Sequence, residues 1–393
     1  MKKLLLATAV SALMTSGAYA AEVKLGVILG YTGPIESLTP DMAAGAELAM
    51  KEVTDSGKLM DGSTVVSIRA DSTCVDAAAA STAAERLITA DGVNGIVGAD
   101  CSGVTTAILQ NVALANGMVM VSPSATSPAL STVEDNGLFF RTAPSDARQG
   151  AVLTDILNDR GIKEVAMTYT NNDYGKGLAD SIQTNFEAAG GKVTISAPHE
   201  DGKGDYSAEV GALASAGGEV LIVAGYLDQG GKGIIQASLD SGAFDTFVLP
   251  DGMIGDSLPA AIGSDLDGSF GTVPGTDSKG AEVFSSMAEE AGFKAGPFAS
   301  ESYDGAALIL LAMQAAGSMD PAAYKEKIEM VANAPGTEIF PGELGKALEL
   351  IAAGEDIDYV GASAVELVNG GESAGNYREI QVEGGENTTA NFR

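Results

Sequence analysis

Short apolar runs alternate with longer amphipathic ones along most of the chain. Val23 to Leu29 is apolar except for one lysine and predicts a buried strand. Met42 to Ser56 sets Ala46, Met50 and Val53 on one face at helical spacing. Thr64 to Ala70 predicts a strand, Ala77 to Ala90 a helix, and Gly95 to Gly98 and Val119 to Val121 two more strands, with a helix to about Asn116 between them. Strands separated by helices run parallel with right-handed crossovers. A polar loop and the short segment Leu138 to Thr142 interrupt this order. It then resumes. Helices Asp146 to Arg160, Tyr174 to Ala189, Ser207 to Ala216 and Gly230 to Ser241 alternate with strands Val165 to Tyr169, Lys192 to Ser196, Val220 to Ala224 and Thr246 to Leu249. The fold expected is α/β, with two doubly wound (Rossmann-like) parallel-sheet lobes.

After Ser269 three helical segments, Lys279 to Ala291, Tyr303 to Gly317 and Pro321 to Asn333, follow without strands between them and should cover the first sheet. Strand-like runs in the tail, Tyr359 to Gly361, Ala364 to Val368 and Arg378 to Val382, are expected on the second. Residues 21–142 plus 274–355 would then form the first lobe and 143–273 plus 356–393 the second. Three crossing segments side by side make a hinge on which two lobes can close.

The first residues stand apart from both lobes. Met1-Lys2-Lys3 is positive, Leu4 to Met14 is apolar, and Ala18-Tyr19-Ala20 fits the small-x-small cleavage pattern. Residues 1–20 therefore read as a Sec signal peptide, with Ala21 as the mature start and the periplasm as destination. No other stretch reaches about 18 uninterrupted apolar residues, so direct membrane insertion is not expected.

Without Lys2 and Lys3, 20 of the 22 basic residues face 53 acidic ones, a formal charge of −33. That field repels polyanions, which excludes nucleic acid as a partner. The acids are spread among the helices, as a solubilising surface or as a means of steering cationic ligands. The two cysteines, Cys74 and Cys101, are expected to be bonded to each other at one edge of neighbouring strands. There is no C-x-x-C, and the single histidine, His199, sits in a polar loop where it should be solvated. No metal or cofactor is indicated.

Candidate chemistry concentrates between Gly98 and Leu130, where two strands break into hydroxyl-rich turns, Asp100-Cys101-Ser102-Gly103 and Ser122-Pro123-Ser124-Ala125-Thr126. Carboxyl ends of strands are where open α/β sheets bind ligands. Ser102, Ser124 and Thr126 place hydroxyls beside free N–H groups, which suits a carboxylate. The stretch holds no lysine or arginine, no G-x-G-x-x-G and no P-loop, so a small zwitterion fits better than a phosphate.

Several local stretches carry a resemblance: GYTGPIESLTPDMAAGAELAMKEV, DSTCVDAA, GADCSG, SPSATSPAL, NNDYGKGLADS, AGYLDQGG, LPDGM and SYDGAAL. In order, over essentially the whole mature chain, they resemble the type I periplasmic binding proteins for branched-chain and related amino acids of ABC transporters. The resemblance implies a ligand carboxylate on Ser102, on the backbone of Ser124 and Ala125 and on the hydroxyl of Thr126. It adds Tyr174 and Tyr226 as cleft-facing aromatics from the second lobe, Asp251 as partner of the ligand ammonium, and a Cys74–Cys101 disulfide. It also implies delivery to an ABC permease in the inner membrane, by a monomer.

Each residue has a plainer reading. Ser102 suits a helix N-cap, Tyr174 and Tyr226 suit packing, and Asp251 between Pro250 and Gly252 suits a turn. Glu36 reads as a solvated loop acid, and Tyr303 and Asp304 as a cap region. Three features depart from the branched-chain pattern: Asp251 where glutamate is usual, Ser124 where alanine is usual, and no tryptophan in the chain. A polar or larger amino acid, or a short amide, stands beside leucine, isoleucine and valine as ligand. The competing classes are a sensory module for the same ligands and an exported hydrolase. No motif around His199 supports the hydrolase.

Overall fold

The computed structural model describes residues 21–393, so the leader read at residues 1–20 lies outside the described residues. The first apolar run forms β1 (Glu22–Leu29), followed by α1 (Thr39–Ser56), β2 (Thr64–Asp71), α2 (Ala77–Arg86), β3 (Gly95–Gly98), α3 (Ser102–Ile108), α4 (Leu114–Asn116), β4 (Met120–Ser122) and β5 (Phe139–Pro144). The second alternation gives α5 (Asp146–Asp159), β6 (Glu164–Thr170), α6 (Asp173–Ala188), β7 (Lys192–His199), α7 (Ser207–Ala216), β8 (Val220–Ala224), α8 (Gly230–Ser241), β9 (Phe247–Leu249), α9 (Ser257–Ile262) and β10 (Phe270–Pro274). Then come α10 (Lys279–Ala291), α11 (Ala299–Ala316), α12 (Pro321–Tyr324), α13 (Ile328–Ala332), β11 (Thr337–Ile339), α14 (Leu344–Ala352) and the tail strands β12 (Ile357–Tyr359), β13 (Leu367–Val368), β14 (Glu372–Ser373), β15 (Tyr377–Glu383) and β16 (Glu386–Phe392).

Two seven-stranded sheets result, in the orders β13-β14-β5-β4-β3-β1-β2 and β16-β15-β10-β9-β8-β6-β7. Strands β1 to β5 and β6 to β10 are parallel and follow the same winding, as the alternation predicts. Each sheet reverses its winding beside its first strand, and ligands bind at such switch points.

Helix α11 is buried almost throughout and packs on α1, on α13 and α14, and across β3, β4 and β5, so the late helices cover the first sheet as expected. Its even burial explains why apolar residues run all round it.

The tail differs from expectation. Strands β13 and β14 close the edge of the first sheet, and β12 pairs with β11 in a separate two-stranded sheet; only β15 and β16 join the second. The chain therefore returns to the second sheet after Ser373, not at 356. The first crossing also falls later than 142, because β5 continues through Pro144. The reason is a long-range ion pair: Glu372 reaches the buried Arg141 of β5 at 2.6 Å and fixes β14 beside it. Neither two-residue strand has a period that could name its sheet.

Cys74 and Cys101 are bonded. They follow β2 and β3, which are not neighbours, since β1 lies between them. The bridge passes over the end of β1 at Gly30, where an added Cβ would stand 3.0 Å from Cys74 Cβ and 3.1 Å from Asp100. Replacing both cysteines by serine is expected to cost about 3 kcal/mol by freeing a loop of 27 residues in the unfolded chain. A urea midpoint equal to that of the parent would refute it.

His199 also departs from its expected place. It ends β7 with 1% exposure, its Nδ1 is 2.9 Å from Thr168 Oγ1, and burial pushes its pKa down to about 4.

Candidate functional site

The carboxyl ends of both sheets face one another across a small cavity. From the first sheet, α3 follows β3 and brings Ser102 to its first turn, while the turn after β4 brings Ser124. From the second, Tyr174 opens α6 after β6, Tyr226 follows β8, and Asp251 follows β9. Ile35, Leu38 and Phe298 supply apolar walls.

The cavity measures about 20 Å³, room for roughly one water. Contacts between the sheets' loops hold it this closed. Asp228 N–H donates to Pro34 O at 3.0 Å, Ser37 N–H donates to Asp228 Oδ2 at 2.9 Å, and Ser127 Oγ donates to Asp173 O at 3.1 Å.

Of the residues singled out from sequence, Ser102, Ser124, Tyr174, Tyr226 and Asp251 line this cavity; Ala125 and Thr126 do not. The Ala125 N–H is already held by Ser122 Oγ at 2.9 Å. Thr126 Oγ1 is buried without a hydrogen-bond partner among the described residues. Ser102 is not the N-cap. Cys101 occupies that position without a side-chain bond, and Ser102 Oγ instead accepts from Ser127 N–H at 3.1 Å.

Glu36 is exposed and lies off the cavity. Tyr303 donates to Glu52 and ties α11 to α1, and Asp304 accepts from Tyr359, Ala362 and Ser363 and holds the 359–363 turn against α11.

Tyr174 and Tyr226 stack at 5.1 Å between ring centroids. Tyr174 donates to Asp251 Oδ1 at 2.7 Å and accepts from Gly252 N–H at 3.1 Å. Asp251 Oδ2 has no hydrogen-bond partner among the described residues, which leaves one carboxylate oxygen for a ligand. Behind it stands Asp146, also buried. With the Gln149 amide oriented to satisfy both its ends, Nε2 donates to Asp146 Oδ1 (3.0 Å) and Asp251 Oδ1 (3.1 Å), and Oε1 accepts from Asp251 N–H and Thr272 Oγ1, each at 3.1 Å. Burial pushes Asp251 up to about 6, and burial together with the neighbouring Asp251 charge raises Asp146 further.

Asp100, on the same wall, is satisfied within the fold. It accepts from Gly30 N–H, Ser72 Oγ and Cys101 N–H, and burial raises its pKa. Sequence reasoning missed Asp146, Gln149 and the apolar wall, because no local motif marks them. It also missed Arg141, which anchors the site loop. Its Nη1 donates to Ala125 O (3.1 Å) and Ser127 O (2.9 Å), and its Nη2 to Ser131 Oγ (2.7 Å) and Glu372.

Two similarly wound sheets joined by three crossings, with opposing strand ends around one cavity, define a two-lobed receptor class that closes on its ligand. The family model described as Periplasmic binding protein matches residues 22–345, and the chain belongs to that family, in its branched-chain amino acid branch. The Leu/Ile/Val-binding protein homolog 1 of Brucella melitensis is 31% identical over 337 residues, 83% of this chain and 88% of that protein. A leucine-binding protein from Thermotoga maritima superimposes with a TM-score of 0.79 at 22% identity, covering 94% of this chain and 98% of the other. A solute-binding protein of an ABC transporter from R. palustris, solved with benzoate, gives 0.75 at 19% identity, covering 95% and 96%.

Proposed function

We propose that the protein is the extracytoplasmic receptor of an ABC importer, taking an α-amino acid between its lobes and passing it to the permease. The observation that carries this reading is the unpartnered Oδ2 of buried Asp251 on the same cavity as Ser102 and Ser124. One end of the cavity suits an ammonium. The other, with the Ser102 hydroxyl at the start of α3 free to donate and no basic side chain on the lining, suits a carboxylate, while the Ser124 hydroxyl is held by Asp100 O at 3.0 Å.

A ligand of that shape binds each lobe by one end, so only the closed form collects both sets of bonds. Closure follows from that differential affinity. With water excluded, both ends are charge-assisted and stronger than neutral hydrogen bonds. Tyr174 and the Gln149 amide hold the Asp251 carboxylate in place, and the stacked tyrosines supply a flat apolar wall. The relatives' names widen the ligand field, from leucine, isoleucine and valine in the Brucella protein to benzoate in the R. palustris one. The Asp251 carboxylate disfavours a ligand with no ammonium, so the amino acid is the better fit.

A thermal-shift screen of the common amino acids and short amides tests the proposal. A ligand at a hundredfold excess over its Kd should stabilise the fold by about 2.7 kcal/mol. A screen in which none of them raised the midpoint would count against it.

Affinity should also depend on pH. Asp251 pairs with an ammonium only when ionised, and burial raises its pKa to about 6. Calorimetric affinity is therefore expected to be flat above that value and to fall by up to about tenfold per pH unit below it. Constant affinity between pH 7 and 5 would remove Asp251 from the ammonium site.

A further inference from the structure

A second cavity, about 540 Å³, lies between the lobes beside the crossing that follows β10. Phe298, in a left-handed backbone conformation (φ 62°), lines both this cavity and the Asp251 one. Glu301 of α11, 3% exposed, and Arg378 of β15 line it from opposite lobes. Neither side chain forms a hydrogen bond or ion pair with another described residue, and the two do not pair with each other. Glu301 is withdrawn from water and Arg378 is half-buried, so an acid and a base without partners share one cavity and are matched by a ligand that carries both an ammonium and a carboxylate. At the rim stand three exposed acids, Asp277, Glu282 and Glu289. They favour a further positive charge on whatever enters.

We propose that this cavity is a second small-molecule site for an amino acid with a basic side chain. Its carboxylate lies on the Arg378 guanidinium, its α-ammonium on Glu301 and its side-chain cation among the rim acids. A guanidinium takes a carboxylate through two parallel hydrogen bonds, which fixes the ligand's orientation as well as its charge. Burial pushes the empty Glu301 carboxyl up to about 8, so it rests protonated at neutral pH and gives up that proton when an ammonium docks. Because Glu301 and Arg378 belong to different lobes, a ligand bridging them would favour closure as the first site does, without using Asp251.

Equilibrium dialysis of the mature chain with radiolabelled L-lysine at millimolar concentration tests this. Saturable binding is expected in the parent and in Asp251→Asn. It should weaken by about tenfold or more in Glu301→Gln and in Arg378→Gln, with Arg378→Lys between them because one ammonium cannot reproduce the fork. Glu301→Gln keeps the side chain's shape, and circular dichroism confirms that each variant is folded. The proposal is overturned if the parent shows no saturable L-lysine binding. It is equally overturned if binding is lost in Asp251→Asn yet unchanged in Glu301→Gln and Arg378→Gln, which would place lysine in the first cavity. A screen in which only basic amino acids raised the midpoint, with the shift kept in Asp251→Asn, would sink the first reading and leave this one standing, since the two cavities are removed by different substitutions.

Discussion

Asp251→Asn should weaken amino-acid binding by about 4 kcal/mol, roughly a thousandfold, while making the unliganded protein more stable at pH 8. Both effects have one cause. The asparagine keeps the shape that Tyr174 and Gln149 hold, but it offers no charge to an ammonium buried against it. In the empty protein that charge is a burden. Burial raises the folded carboxyl from 3.8 to about 6, and Asp146 stands close behind it. A carboxyl whose folded pKa exceeds its unfolded value stabilises most when protonated, and that contribution is lost as pH rises from about 4 to 6. The parent should therefore fall below the variant in thermal midpoint across that window, by on the order of 3 kcal/mol of stability once the folded and unfolded carboxyls are both ionised. Below about pH 4 the two should coincide. Calorimetric titration reads the binding loss and scanning calorimetry at pH 4 and 8 reads the stability. Equal affinities, or a variant less stable than the parent at pH 8, would contradict the assignment.

Arg141→Ala is expected to cost about 4 kcal/mol of stability and to lower the melting temperature by on the order of 10 °C. The side chain is 1% exposed and supplies bonds to two carbonyls of the turn after β4, to Ser131 and to Glu372. Its removal strands all four acceptors and leaves the Glu372 carboxylate without its cation. The Ser122–Leu130 turn then loses its anchor, so ligand affinity should fall although Arg141 does not line the cavity. Arg141→Lys should recover little, because an ammonium has three donors and no planar fork. Denaturant titration distinguishes these outcomes, and a lysine variant with full stability would show that charge alone is sufficient at this position.

Arg141 also marks where local reading stops. In Leu138 to Thr142 it looks like one polar residue in a short strand, and nothing nearby in sequence predicts that it is buried. Its partner Glu372 lies 231 positions away, and the pair decides both the edge of the first sheet and the late return of the tail. His199 fails for the same reason: a polar local context, Pro198 to Gly202, hid a ring that tertiary packing buries.

The residues at the strand ends were more accessible. Ser102, Ser124, Tyr174, Tyr226 and Asp251 each follow a strand, and a parallel sheet sends all its carboxyl ends to one edge. Residue type and position after a strand propose Ser102 and Ser124, the resemblance to the family implied Tyr174, Tyr226 and Asp251, and the winding brings all five to one cavity. Thr126, chosen for its hydroxyl, and Ala125, implied by the resemblance, fall behind the wall, because a turn of five residues cannot present every one of them to the same side. Asp146 and Gln149 were invisible, since what matters about them is their distance from Asp251.

By itself the sequence determined the alternation of strands and helices, the parallel direction of the two sheets and the hydroxyl-rich turns at their ends. Those features follow from periodicity, propensity and connection length, which act over a few residues at a time. The tertiary structure alone decided which sheet receives β13 and β14, which turn residues reach the cavity, and which charges stand unpaired beside it. Those outcomes depend on desolvation and on hydrogen-bond partners drawn from segments far apart in the chain, and no local pattern records them.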